Sequence, residues 1–152
     1  MNKLILTCFL SLANVSAMQL DSALRGTWRV VKISYGSRTL DGPKDSLLIG
    51  KLLVISDSIC HFDCPDSIFT FPKSLWNERQ PTYEFVQQLT EDIPHYYRMT
   101  MSDLGITSKY FYWISLKRKV DLIDPFTFMY NEQALILSEE GMFIHFSKEN
   151  NN

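Results

Sequence analysis

The chain has 152 residues, 15 basic and 17 acidic side chains, and an apolar share of 45%, enough for one domain with a substantial core. A formal charge of −2 excludes the basic footprint that nucleic acid or an anionic membrane surface would require. The single basic run, "KRK" at 117–119, reads as the solvated end of a strand, because no aromatic and polar residues interleave it as in a nucleic-acid groove.

The first 17 residues read as a secretory signal. Lys3 supplies the positive start, Leu4 to Leu12 the apolar run, and Val15-Ser16-Ala17 the small-residue cleavage site. That run is too short to cross a bilayer as a helix. A lipid anchor on Cys8 is the rival reading, but Thr7 before it is neither Gly nor Ala, and the apolar run continues beyond it. Cleavage after Ala17 would leave 14 basic and 17 acidic side chains on residues 18–152, with no second segment of membrane length. The expectation is a single periplasmic or secreted domain without stable membrane insertion.

Strand patterns then dominate. "GTWRVVKISY" (26–35) is rich in β-branched and aromatic residues, and "GSRTLDGP" closes it with turn chemistry. "KDSLLIG" predicts a single helical turn ending at Gly50, followed by the strand "KLLVIS". "SICHF" is expected to pair with that strand through Ser56-Asp57-Ser58, and "SIFTF" gives a further strand. In "TYEFVQQLTEDIPHYY" both periods compete. The reading adopted is a strand near 82–88, then a short helix capped by Thr90 with Glu91 and Asp92 in its first turn. Four strands close the chain: "KYFYWISL" (109–116), "FTFMYN" (126–131), "ALILSE" (134–139) and "MFIHFSK" (142–148), the last two joined by a turn at Glu140-Gly141. The predicted fold is mainly β: an antiparallel β-barrel of about eight strands with one or two short helices, closed because closure removes exposed edges.

Cys60 and Cys64 remain after processing, and in an oxidising compartment a disulfide is the leading reading. Fully extended, their Cα atoms would stand roughly 13 Å apart, beyond bridging distance, so the chain must turn at Asp63-Cys64-Pro65. Free thiols and a metal site of Cys60, His61, Asp63 and Cys64 are the alternatives. Metal ranks last, since zinc sites usually gather ligands from two separated segments.

"LRGTWRVV" resembles the first-strand signature of lipocalins and fatty-acid-binding proteins, the calycin barrels. The resemblance implies that Gly26 lets the backbone enter the barrel tightly and that Trp28 plugs its closed end, both structural roles. Lipocalins also carry a T-D-Y turn, absent here, and a basic residue that packs over the Trp, for which the chain end offers Lys148. Fatty-acid-binding proteins place two helices between their first strands and hold ligand with an Arg-x-Tyr pair. Residues 36–50 are too short for those helices, and "MFIHF" lacks that pair. The arrangement "GTWRV…LLIGKLLVIS…YYRMTMSDLGI…EEGMFIHF" is also similar to a group of small, uncharacterised exported bacterial proteins.

No catalytic motif accompanies His61, His95 or His145, and no G-x-S-x-G elbow is present, so no enzyme, metal or cofactor is expected. Binding is the expected work. "YFYWISL" is apolar on both faces, with Tyr110, Tyr112 and Ile114 on one and Phe111 and Trp113 on the other. These aromatic strands suggest a cavity for a small apolar ligand, with Tyr hydroxyls and Arg98 as polar ends and Tyr97, Arg98, Tyr112 and Phe128 as candidate lining residues. The alternative is a periplasmic inhibitor or immunity protein, similar to lysozyme inhibitors, that presents the Phe111/Trp113 face to a protein. Coverage of that face by the segment in the 90s is the simpler expectation.

Overall fold

The computed structural model describes residues 22–36, 45–64, 77–117, 127–132, 134–139 and 141–149. The leader with Cys8, "SIFTF", Arg118-Lys119, Phe126 and Glu140 lie outside the described residues. The elements follow in chain order: β1 (Gly26–Tyr35), α1 (Asp45–Leu48), β2 (Leu52–Ile55), β3 (Ile59–Phe62), β4 (Asn77–Arg79), β5 (Thr82–Leu89), β6 (His95–Tyr96), β7 (Met99–Thr100), β8 (Tyr110–Lys117), β9 (Thr127–Asn131), β10 (Ala134–Glu139) and β11 (Met142–Lys148). The predicted turn before Gly50 is α1, and the last four predicted strands are β8 to β11.

Nine strands form one antiparallel sheet in the order β4-β3-β2-β1-β11-β10-β9-β8-β5. The first strand therefore lies between the second and the last, and sequential neighbours extend outward on both sides. The sheet is strongly curled into a half-barrel. Ring contacts across it measure the curl: Phe62 on β3 meets Phe146 on β11 at 5.4 Å, and Trp28 on β1 meets Tyr130 on β9 edge-on at 6.4 Å. In each pair two strands intervene. The expected mainly β fold, an antiparallel barrel-type sheet with short helices, is the one observed, with nine strands rather than about eight, and β4 and β5 are its edges among the described residues.

Strand alternation sorts the side chains into two cores. The concave core holds Trp28, Val30, Leu53, Ile55, Phe62, Ile114, Phe128, Leu135, Ile144 and Phe146. Outside the curl a second core holds Phe111, Met129, Ile136 and Phe143, roofed by Met101, Leu104 and Ile106. On β1 a bulge between Val30 and Lys32 inserts one residue, turning Val31 outward and returning Ile33 to the concave side.

The roof grows from local signals. Leu89 ends β5, and Thr90–Asp92 form one 3-10 turn. Thr90 does not cap it as expected; its hydroxyl donates to Ser108 O at 2.7 Å, tying the start of the excursion to its end. Thr100 and Asp103 then form a reciprocal cap. Thr100 N–H donates to the Asp103 carboxylate (3.0 Å), and Asp103 N–H donates to Thr100 Oγ1 (3.0 Å). The turn they start seats Leu104 and Ile106 in the outer core.

Candidate binding site

Trp28 is buried in the concave core. Its Nε1–H donates to Leu24 O at 2.8 Å, and its ring is buried beneath Lys148 Nζ, 5.5 Å from the ring centroid. Lys148 Nζ also donates to Ala23 O at 2.6 Å, so one lysine joins the last strand to the turn before the first. Gly26 is needed at that junction: its φ is +135°, and a Cβ there would stand 3.1 Å from Lys148 Cε. Lys148 is thus packed over the Trp28 ring while it ties the two chain segments together.

The four candidate cavity residues divide between the two faces. Tyr112 and Phe128 belong to the concave side, where Tyr112 pairs with Tyr130 and Ile114 with Phe128. Tyr97 and Arg98 lie on the convex side as the two-residue turn of the β6–β7 hairpin, with φ of 50° and 64°. Arg98 is therefore not brought to the concave side with Tyr112 and Phe128. Its backbone is committed to a turn that favours Asn-Gly, adopted here by two residues bearing large side chains. The hairpin stays because its rings pack: Tyr96 meets Trp113 at 5.4 Å and Phe143 at 5.8 Å, and Tyr97 meets Phe143 at 6.2 Å. Gly36 permits that approach, since a Cβ there would lie 2.6 Å from Tyr97 O.

The same hairpin settles the Phe111/Trp113 face. Phe111 is fully buried and Trp113 half-buried under the roof, so this face is not an exposed aromatic surface. The simpler expectation of coverage holds, although a hairpin and turns provide it rather than a helix.

Beneath the roof, Ser34 Oγ and His145 Nε2 lie 3.0 Å apart, both about nine-tenths buried. Burial, and secondarily the Lys32 charge, lower the His145 pKa to about 4, which makes it a neutral partner of Ser34 at pH 7. The Asp103 carboxylate is held below its usual range chiefly by the Thr100 hydroxyl and N–H. His95 is exposed on the hairpin, and His61 faces away from Cys60 across β3, its buried Nδ1 without a hydrogen-bond partner among the described residues. No three His, Cys, Asp or Glu side chains gather into a metal cluster among the described residues. The expected disulfide is also not formed: Cys60 and Cys64 are buried thiols. β3 keeps Cys60 through Phe62 extended, and the chain bends only at Asp63, where Cys64 N–H donates to Phe62 O (2.9 Å).

A cleft of about 380 Å³ opens where β5, β8 and β9 end near Tyr110. Gln87, Tyr110 and Tyr112 form one wall, and Gln87 Nε2 donates to the Tyr112 hydroxyl at 3.3 Å. Thr107, Ser108 and Lys109 form the other, with Lys109 Nζ 5.3 Å from the Tyr110 ring centroid. Asn131 and Glu132 close it at the β9–β10 turn, where Asn131 Oδ1 accepts the Ala134 N–H at 2.7 Å. Only Tyr112 of the four candidates lines this cleft. Gln87, Lys109 and Glu132 were missed because nothing in their local sequence marks them; strand pairing assembles them. Among the described residues no helix is long and apolar enough to cross a membrane. Comparison of the chain with protein-family models, with curated proteins and with solved structures finds no match in any of the three.

Proposed function

We propose that this is an exported, lipocalin-like binding protein that holds a small apolar ligand against its concave face and catalyses no reaction. The observation that carries the reading is a set of apolar side chains on that face left only part-buried: Ile33, Tyr35, Tyr83, Phe85 and Tyr112. A folded chain gains by covering such groups, and a ligand site is where it leaves them available. The strand order, with β1 between β2 and β11, and the Trp28–Lys148 clamp support a calycin-type frame. The Ser34–His145 pair supports a structural role for the histidine, because it is buried and no carboxylate among the described residues is hydrogen-bonded to it.

Titration with the uncharged fluorophore N-phenyl-1-naphthylamine tests the reading. Saturable one-site binding, weakened about tenfold or more in Phe85→Ser, is expected on the scale of a buried apolar contact. Non-saturating fluorescence, unchanged by that substitution, would reject it.

A further inference from the structure

Resting on that reading, we infer that the part-buried track on β5 and β8 and the cleft at its end accept one ligand, a small amphipath with an uncharged hydrogen-bonding head. The two strands change character together. On β5 the concave positions run Tyr83, Phe85, Gln87, and their partners on β8 run Leu116, Ile114, Tyr112. The apolar end is continuous, with the Tyr83 and Phe85 rings 6.5 Å apart at 38°, above fully buried Leu116 and Ile114. At the next concave pair the surface becomes polar, and the cleft begins there. From Tyr83 to Gln87 the strand rises about 13 Å, the reach of a medium-length alkyl chain.

The head chemistry follows from what the cleft offers. Its charged groups are one ammonium, Lys109, and one carboxylate, Glu132. The described lining therefore carries one charge of each sign and gives a singly charged head of neither sign an advantage by charge count. The neutral groups favour hydroxyls. Tyr112 accepts from Gln87 and still has its own O–H to donate, while the Gln87 amide oxygen remains to accept. Tyr110 is 41% exposed and lines the cleft, offering an aromatic surface of the kind on which the apolar face of a sugar or polyol packs. Ser108 and Asn131 hold the walls instead: Ser108 Oγ donates to Tyr110 O at 2.7 Å and accepts from Asn131 Nδ2 at 3.4 Å.

Isothermal titration calorimetry with probes that share an octyl chain separates the contributions. Octyl β-glucoside, octanoate and octylammonium are compared below their micelle-forming concentrations, with glucose as the head alone. The inference expects octyl glucoside to bind at least tenfold more tightly than either charged probe, and glucose much more weakly. Gln87→Ala, an exposed change on an edge strand, should remove most of the preference for the glucoside over octanoate. A charged probe binding as tightly as the glucoside, or a preference that survives Gln87→Ala, would overturn the head assignment and leave the apolar-ligand reading standing. Glucose binding as tightly as octyl glucoside, or no octyl probe binding at all, would overturn both.

Discussion

Acidification should destabilise this protein through one buried histidine. His145 is neutral in the fold, with a pKa of about 4, because the outer core desolvates it and the Lys32 charge opposes a second cation nearby. In the unfolded chain an ordinary histidine titrates near 6.5. The unfolded state therefore takes up a proton first as pH falls. The stabilisation is fully present above about pH 6.5 and is lost progressively as pH falls through the interval down to about 4. Between pH 7 and pH 4.5 this difference in proton binding amounts to about 2 kcal/mol, a large part of a small domain's stability. Asp103 works in the same sense but lower down: its lowered pKa contributes stability above the ordinary carboxylate range, lost as pH falls further. Urea unfolding at the two pH values reads the histidine effect, with His145→Gln as control because its amide can still meet Ser34. Wild type should lose about 2 kcal/mol more than the variant over that interval. Equal losses in both proteins would refute the assignment of the pH dependence to His145.

Other substitutions probe the frame and the roof. Gly26→Ala should cost about 1–3 kcal/mol in thermal or urea unfolding, since it combines a disfavoured φ of +135° with a contact 3.1 Å from Lys148 Cε. Lys148→Met should raise the exposure of Trp28, read as a red shift and faster quenching of its fluorescence, and lower stability by about 1 kcal/mol. Phe143→Ala should cost about 3–5 kcal/mol and release hydrogen-exchange protection in residues 93–106, whose roof rests on that ring. Arg98→Gly should stabilise by up to about 1 kcal/mol, because glycine adopts the left-handed turn position without the Cβ clash.

The sequence exposes what depends on local chemistry. Strands rich in Val, Ile, Phe and Tyr, the turn ending at Gly50, the Gly26-x-Trp28 opening and the tight β10–β11 connection are all readable, because propensity and turn residues act over a few positions. Strict alternation along "GTWRVVKISY" would place Lys32 and Ser34 beside Trp28 on one face. The bulge at Val31 instead sends Ile33 and Tyr35 to the concave side, and no residue in that run announces it. Tyr97-Arg98 is illegible for a related reason: neither residue favours a left-handed turn, and only tertiary packing of Tyr96 and Tyr97 on Phe143 holds it there. The candidate site is the least legible part. Gln87, Lys109 and Glu132 are ordinary polar residues until the pairing of β5 with β8 and β8 with β9 brings them to one cleft.

Native mass spectrometry of the protein purified without detergent from cells that express it addresses the binding reading most directly. The account predicts a population heavier than the bare chain by one small molecule, released on denaturation, with affinity for octyl glucoside appearing once it is removed. A single species at the mass of the bare chain, unchanged on adding the octyl probes, would contradict it.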